Sequence, residues 1–199
     1  MSSPPTPPTG PPPDLPATGW AVLGLLSFGR ELSGYDLKKW ADTSLRFFYW
    51  SPAISQIYGE LRRLDGLGFV EARTAAQDEL RNKRLYRITP AGEQALRGWL
   101  HDAPVEPPLL KHGVLLRVWL GHLADPATLR DTVEQHRAYA ERMIEELALS
   151  RAVAETTEDF NYPALVTRWG ERYYAAERDL AEEMLRELEE MNGRTSKRS

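Results

Sequence analysis

Residues 51–69 read SPAISQIYGELRRLDGLGF, and this stretch decides the fold of the first half of the chain. Its apolar side chains at Ile57, Leu61 and Leu64 are spaced by four and three residues, which places them on one side of an α-helix. Two glycines near the end of the stretch predict that the helix stops there. The pattern therefore predicts an amphipathic helix whose apolar side faces a core.

The start of this helix is predicted from the sequence Ser-Pro-Ala at residues 51–53. A serine side chain caps the free N–H groups of a helix, and proline suits the first helical position because its missing N–H costs nothing there. The same arrangement recurs as Thr-Pro-Ala at residues 89–91 and as Asp-Pro-Ala at residues 125–127. One signal therefore predicts three helix starts.

The opposite side of the helix is small and polar near its start and cationic further along. It carries Pro52, Ser55, Gln56, Gly59, Arg62 and Arg63, with Tyr58 at its edge. A helix that enters the major groove of DNA needs this character, since it must be slim enough to approach base edges and must offer donors to phosphates. An ordinary solvated surface helix has the same composition, so this helix alone leaves both interpretations open.

The elements around this helix follow a recognisable order. Residues 16–28 are apolar nearly all round and predict a buried helix, and residues 33–44 predict a second helix capped by Ser33. Alternation of side-chain character over residues 70–74 and 84–88 predicts a two-stranded hairpin. Helix, helix, helix, hairpin, helix is the order of a winged helix-turn-helix domain.

Charge is distributed unevenly, although the chain as a whole has a net charge of −4. Residues 15–100 hold 12 Lys and Arg against 9 Asp and Glu, whereas residues 101–192 hold 10 against 19. The hairpin carries Arg81, Lys83 and Arg84 where a wing would lie along the DNA backbone, so phosphate contacts and salt-sensitive affinity are expected. Two acidic residues just before them count against this interpretation, and local carboxylates are alternative partners for the cations.

Three segments together resemble the PadR-type transcriptional regulators: GYDL at residues 34–37, SPAISQIYGELRRLDGLGFVE at 51–71 and KRLYRITPAGEQAL at 83–96. The resemblance covers about residues 15–100. The acidic helical remainder resembles the Vir-type C-terminal domain found in one branch of the family. Together they imply a bacterial homodimer that binds a palindromic promoter site in double-stranded DNA, usually as a repressor. Release by a small aromatic or drug-like effector is also implied.

The resemblance implies DNA contacts from the second helix and from the tyrosine of the third helix with its neighbours. The complete set of expected DNA contacts is Tyr35, Lys38, Ser51, Ser55, Gln56, Tyr58, Gly59, Arg62, Arg63, Arg81, Lys83 and Arg84. One departure matters, because many members have proline where this chain has Gly59. Glycine weakens a helix by up to ~1 kcal/mol relative to alanine and leaves space for close DNA approach, so base preference is not inherited from relatives.

Four segments are expected along the chain. Residues 1–14 contain seven prolines and almost nothing apolar, so this tail is expected to be disordered. Residues 15–102 are expected to form the winged helix-turn-helix domain, and residues 103–192 a helical dimerisation and effector domain. Residues 193–199 are expected to be a basic disordered tail. The fold class is therefore mainly α with a small β-hairpin wing, followed by antiparallel helices.

The second half is expected to form three helices, the first over residues 109–124. Spacings of three and four residues define an apolar stripe on the next helix, at Leu129, Val133, His136, Ala140, Met143 and Leu147. A similar stripe on the last helix is the expected dimer interface: Leu165, Trp169, Tyr173, Ala176, Leu180 and Met184. Such a dimer would place two DNA-reading helices about 34 Å apart. A self-contained monomeric bundle is the alternative.

An aromatic effector would need aromatic surface. The candidate residues are Trp20, Trp99, Trp119 and Trp169. Aromatic residues on helical stripes usually belong to a core, and that interpretation stays open.

Enzyme, metal and cofactor chemistry is not expected. The chain has no cysteine, its four histidines show no metal-type pairing, and no Gly-rich phosphate loop or Gly-x-Ser-x-Gly motif occurs. His136 lies on an apolar stripe and is interpreted as a packing histidine. Lys111 and Arg117 interrupt the most apolar segment, so a membrane span is not expected and the protein is placed in the cytoplasm. The competing function is a winged-helix protein–protein adaptor that does not bind DNA.

Overall fold

The computed structural model describes residues 14–77, 81–105 and 107–196. The chain divides into two compact units, Met1–Pro107 and Pro108–Ser199, and each is described by itself. None of the described helices has the length and apolar content needed to cross a membrane.

The described part of the first unit contains four α-helices and a hairpin, in the predicted order. Its elements are α1 (Ala17–Leu26), α2 (Gly34–Thr43), a 3-10 turn (Leu45–Phe47), α3 (Ile54–Gly66), β1 (Val70–Gln77), β2 (Arg81–Ile88) and α4 (Pro90–Asp102). The winged helix-turn-helix prediction is therefore confirmed at the level of element type and order. The 3-10 turn between α2 and α3 was not predicted.

The core of the first unit forms around α1, which is apolar on nearly every side. Leu23 and Leu26 of α1 pack with Ile57, Leu61 and Leu64 of α3, and all five are at most 1% exposed. The predicted apolar side of the third helix is confirmed. Burial of this stripe fixes which side of α3 is left for other contacts.

Two of the three predicted Ser/Thr/Asp-Pro-Ala helix starts are confirmed. The Thr89 hydroxyl accepts a hydrogen bond from the Gly92 N–H at 3.1 Å, and Asp125 accepts one from the Thr128 N–H at 3.0 Å. Ser33 caps α2 as predicted, and the Asp36 carboxylate accepts the Ser33 N–H in return at 3.0 Å. These side chains satisfy helix N–H groups that have no partner within the helix.

The predicted start of α3 is wrong. The helix begins at Ile54, two residues after Pro52, and the Gln56 side chain accepts the Ala53 N–H at 2.8 Å. The Ser51 hydroxyl does not cap the helix because it is bonded to other side chains of the first unit. Pro52 is fully buried, so it does not lie on the outward side of the helix as expected.

The hairpin pairs β1 and β2 in antiparallel register, from Val70 opposite Ile88 to Gln77 opposite Arg81. Leu32, in the connection between α1 and α2, adds a short third pairing along the outer edge of β2. Its N–H donates to the Tyr86 carbonyl at 3.0 Å, and the Tyr86 N–H donates to its carbonyl at 2.9 Å. The base of the hairpin is therefore hydrogen-bonded on both sides of β2.

The second unit contains α5 (Gly113–Trp119), a 3-10 turn (Gly121–Leu123), α6 (Pro126–Glu155) and α7 (Asn161–Ser196). Ion pairs join Arg130 to Glu189 and Arg151 to Glu171, so α6 and α7 run antiparallel. The predicted stripe of α6 is confirmed, since its apolar members are buried and His136 is half-buried.

One expectation for the second unit is wrong. The single helix expected over residues 109–124 is only seven residues long and is followed by a 3-10 turn. The stripe expected to be the dimer interface leaves Leu165, Trp169 and Leu180 exposed, and its role in a dimer stays a prediction. Among the described side chains of α7, the buried positions are Ala164, Thr167, Gly170, Tyr174, Ala181 and Leu185. Small residues let α7 approach α6 closely, because a Cβ built on Gly170 would lie 3.1 Å from Leu147.

Candidate nucleic-acid interface

The outward side of α3 has the polar and cationic character that the sequence predicted. Ser55, Gln56, Arg62 and Arg63 are exposed. A Cβ built on Gly59 would meet no atom within 4 Å, so the helix surface is flat and open at this position. The core stripe thus leaves a slim polar surface turned toward solvent.

The start of α2 lies against this surface. A Cβ built on Gly34 would lie 2.6 Å from the Tyr58 ring, so the glycine allows the tyrosine of α3 to pack on the first turn of α2. Tyr35 is 68% exposed and Tyr58 is 40% exposed. The structure therefore brings the two predicted tyrosines to neighbouring positions, with polar hydroxyl-bearing rings that remain accessible.

Lys38 and Ser51 are already bonded within the first unit. The Lys38 ammonium pairs with Asp42 and donates to the Ser51 hydroxyl at 3.1 Å, while Ser51 donates to Asp42. Hydrogen bonds from Lys38 and Ser51 lower the pKa of Asp42 below its ordinary value. This network joins α2 to the segment that leads into α3, so both residues have a structural role in addition to the predicted DNA contact.

The described cations of the hairpin are paired with carboxylates of the first unit. Lys83 lies 2.9 Å from Asp36 at the start of α2, and Arg84 lies 3.0 Å from Asp65 in the last turn of α3. The Arg84 guanidinium also lies 5.3 Å from the centre of the Tyr86 ring. These contacts place the two cations beside both helices of the motif. The side chain of Arg81 and the two acidic residues before it lie outside the described side chains.

Similar pairs occupy the other arginines of the hairpin, since Arg73 pairs with Glu31 and Arg87 with Glu71. All these pairs are partly or largely exposed, and exposed ion pairs contribute little to stability because water solvates both partners. A phosphate can therefore replace the carboxylate at small cost. Each carboxylate nevertheless reduces the positive potential that DNA would meet.

Arg62 differs from its neighbours. Across the described ranges 14–77, 81–105 and 107–196, no ion pair involves Arg62, whereas Arg63 lies 3.3 Å from Glu60. Burial of α3's apolar side fixes the direction of Arg62 toward solvent. It is therefore the cation of α3 most available to a phosphate.

The aromatic run Phe48, Tyr49 and Trp50 in the connection between α2 and α3 was not among the predicted DNA contacts. All three residues are exposed, and the rings of Tyr49 and Trp50 stack with centres 4.0 Å apart. The signal was four consecutive aromatic residues at 47–50, of which only Phe47 is buried. Exposed rings in this connection offer apolar surface to a binding partner.

The four candidate effector tryptophans have different environments. Trp20 is buried in the core of the first unit and stacks on Trp99 with ring centres 5.3 Å apart. In the second unit Trp119 and Trp169 are both exposed, and Trp169 stacks on Tyr173. Trp20 and Trp99 thus fit the alternative interpretation of aromatic stripes as core.

Two family models match the chain. Residues 22–98 match the transcriptional regulator PadR-like family, and residues 110–189 match the virulence activator alpha C-terminal domain. The negative transcriptional regulator PadR of Bacillus subtilis is 39% identical over 100 residues, which is 50% of this chain and 54% of that protein. The chain thus matches about half the length of this curated relative.

Solved structures match over a larger part of the chain. The crystal structure of Bacillus subtilis PadR in complex with operator DNA is 27% identical, with a TM-score of 0.74, and the match covers 87% of this chain and 99% of that one. The structure of the same protein in complex with p-coumaric acid is 25% identical, with a TM-score of 0.64 over 86% of this chain and 94% of that one.

Proposed function

Since the chain belongs to the PadR-like family of transcriptional regulators and carries a virulence activator alpha C-terminal domain, we propose that it is a sequence-specific DNA-binding transcriptional regulator. The observation that carries this proposal is the outer side of α3, where Ser55, Gln56 and Arg62 are exposed beside a hairpin held against α2 and α3. A slim polar helix beside a cationic hairpin fits a major groove and its flanking phosphates.

In this mechanism α3 enters the major groove with its first turns toward the bases. Ser55 and Gln56 offer donors and acceptors to base edges, and Arg62 neutralises a phosphate. Tyr35 and Tyr58 contact the backbone beside the groove. Lys83 and Arg84 exchange their carboxylate partners for phosphates of the adjacent turn of DNA.

The protein acts as a homodimer on a palindromic promoter site. Support comes from α7, where Leu165, Trp169 and Leu180 are each more than half exposed on one side of the helix. Monomeric proteins rarely leave a contiguous apolar patch in water, and a second copy of the same helix would cover this row of side chains. Two-fold symmetry would then present two copies of α3 to two half-sites.

Repression is the proposed direction of regulation, because the matched Bacillus subtilis protein is named a negative transcriptional regulator. A small aromatic effector is proposed because the same protein has been crystallised with p-coumaric acid. Of the four candidate effector tryptophans, Trp119 and Trp169 are exposed. Titration with hydroxylated aromatic acids or cationic dyes should therefore quench their fluorescence. A flat titration with both ligand classes contradicts the effector proposal.

A mobility-shift titration of the full chain on the DNA upstream of its own gene tests DNA binding. We expect salt-sensitive binding that weakens more than about tenfold when Arg62 and Arg63 are both changed to Glu. The control is Arg97→Glu on α4, which removes an exposed, ion-paired arginine of the same unit and should leave affinity unchanged. Binding that ignores the double charge reversal, or no salt-sensitive binding to any upstream fragment, contradicts the proposal.

The second candidate is the protein–protein adaptor, and one observation favours it. The described cations of the hairpin are all paired with carboxylates of the chain, which lowers the positive potential offered to DNA. Absence of DNA binding together with retained dimerisation would support the adaptor. Neither candidate is an enzyme, and a regulator of bacterial transcription works in the cytoplasm where the chromosome lies.

A further inference from the structure

Two histidines and a glutamate from three different elements meet in the second unit. His112 directly precedes α5, His136 lies in the middle of α6, and Glu177 lies in α7. One carboxylate oxygen of Glu177 lies 3.1 Å from His112 Nε2 and 2.9 Å from His136 Nε2. The three side chains are between 13% and 17% exposed, so the group is largely shielded but still reached by solvent.

The three ligand atoms all lie within 4.8 Å of one another. Neighbouring donors in a tetrahedral Zn²⁺ site with bonds of about 2.0–2.1 Å are about 3.4 Å apart. To admit an ion, the observed Nε2–Oε2 distances of 3.1 and 2.9 Å need to open by a few tenths of an ångström, and the two Nε2 atoms, within 4.8 Å of each other, need to reach a similar separation. Two imidazoles and one carboxylate form a donor set that borderline divalent transition ions prefer over Mg²⁺ or Ca²⁺.

The surroundings hold this group in place. The Tyr173 hydroxyl interacts with the Glu177 carboxylate, and partners of this kind orient ligand side chains in metal sites. The ring of Tyr139 stacks near His136 with centres 6.3 Å apart. Partners that fix a ligand side chain reduce the ordering that metal binding must impose.

From this arrangement we propose that His112, His136 and Glu177 form a binding site for a divalent transition-metal ion of the Zn²⁺ class. Three protein ligands leave a fourth position for water or a small ligand. The site joins α5 to the α6–α7 pair. The seven-residue α5 packs on that pair through the partly buried Val114 and Val118, so a bound ion would add a second attachment.

One hydrogen bond changes when the ion binds. The Leu115 N–H donates to His112 Nδ1 at 3.2 Å, so in the metal-free protein the ring carries its proton on Nε2. Coordination through Nε2 moves that proton to Nδ1, which then repels the Leu115 N–H. The loss of one neutral hydrogen bond is offset by three coordination bonds, and the first turn of α5 must rearrange.

The test is titration of the untagged full chain with Zn²⁺. A parallel titration uses Co²⁺, because bound Co²⁺ has a visible spectrum that reports its coordination geometry. We expect one ion per chain and a tetrahedral-type Co²⁺ spectrum. Affinity should fall at least about tenfold in His136→Ala and in Glu177→Gln, since even losing a partner of a ligand costs that much. The matched control is His122→Ala, which removes an exposed histidine of the same unit and should bind as the wild type does.

Nitrogen NMR of the unmodified chain provides a measurement that needs no variant. Zn²⁺ should shift the Nε2 signals of His112 and His136 and the amide signal of Leu115, and should leave His101 and His122 unchanged. No stoichiometric binding, shifts confined to His101 or His122, or equal loss of affinity in His122→Ala would each overturn the proposal.

Discussion

At the scale of single residues, glycines identify where the fold needs close approach. A Cβ built on Gly92 would lie 2.1 Å from the Phe69 carbonyl oxygen, which belongs to backbone and has no freedom to move away. The same carbonyl accepts the Thr89 N–H at 3.0 Å, and the Thr89 hydroxyl donates to the Gly68 carbonyl at 2.7 Å. Gly92 therefore lets the first turn of α4 lie directly on the start of the hairpin.

Gly92→Ala should destabilise the first unit by at least about 2 kcal/mol, because an added methyl group forces the backbone apart. Urea denaturation followed by far-UV circular dichroism measures the change. Gly66→Ala is the matched control, since a Cβ there meets no atom within 4 Å. Equal stability of Gly92→Ala and wild type would show that α4 does not pack this closely on the hairpin.

Asp65 allows a test of whether its ion pair with Arg84 limits the contact of this hairpin cation with DNA. Asp65→Asn removes the carboxylate that holds Arg84 and frees this cation for a phosphate. We expect tighter DNA binding at low salt and a steeper dependence of affinity on salt. The slope of the logarithm of the binding constant against the logarithm of the salt concentration should steepen by up to about 0.9. Fluorescence anisotropy at several salt concentrations measures both.

Asp102→Asn is the control for this change, because it removes the same charge at the end of α4, away from the hairpin. If the two variants change affinity equally, the effect comes from net charge. If neither changes it, Arg84 does not contact DNA.

At the scale of elements, Gly59 affects both the stability of α3 and the proposed approach of this helix to DNA. Nothing lies within 4 Å of a Cβ built there, so Gly59→Ala should strengthen the helix by up to ~1 kcal/mol. The same methyl group would stand on the side proposed to face the groove. We therefore expect a higher melting temperature together with weaker DNA binding, and unchanged or tighter binding would show that this side does not approach the bases.

The connection between α2 and α3 should be sensitive to acid. Hydrogen bonds from Lys38 and Ser51 lower the pKa of Asp42 in the folded chain below the ordinary value of 3.8. The ionised form therefore stabilises the fold above that value, and this contribution is lost as the pH falls through the lowered pKa. Asp42→Asn should abolish this part of the acid dependence of the melting temperature, and an unchanged profile would contradict the assignment.

Much of the element pattern was predictable from local sequence. The stripe Ile57, Leu61 and Leu64 predicted the buried side of α3, and Thr89 and Asp125 predicted two helix starts, because these signals act within one or two turns. The start at Ser51 was wrong because its hydroxyl bonds to Asp42, nine residues earlier, and sequence spacing does not reveal that contact.

The face of α7 could not be predicted for a related reason. Its large residues form one stripe, but small residues such as Gly170 and Ala181 form the stripe that packs on α6. Two helix backbones approach each other closely only where the side chains between them are small. A hydrophobicity pattern gives small residues little weight, so it does not detect this side of the helix. His112 and Glu177 were likewise too far apart in the sequence for their contact to be inferred.

At the scale of the whole molecule, the exposed stripe of α7 is the feature on which the proposed dimer depends. Leu180→Glu places a charge on this stripe, so it should produce monomers with unchanged helix content and much weaker binding to a two-half-site DNA fragment. Sedimentation velocity at micromolar concentration measures the first effect. Glu182→Lys, on the opposite side of α7, is the control and should leave the assembly intact. A wild-type chain that sediments as a monomer would contradict the dimer.

The pairing of Leu32 with Tyr86 has a practical consequence for labelling the protein. An isolated two-stranded ribbon is only marginally stable, so a fluorophore or peptide tag inserted between α1 and α2 would detach part of the ribbon's support. The turn that links α6 to α7, around Asp159, carries no strand pairing. That turn is the better attachment point for a reporter intended to leave operator recognition undisturbed.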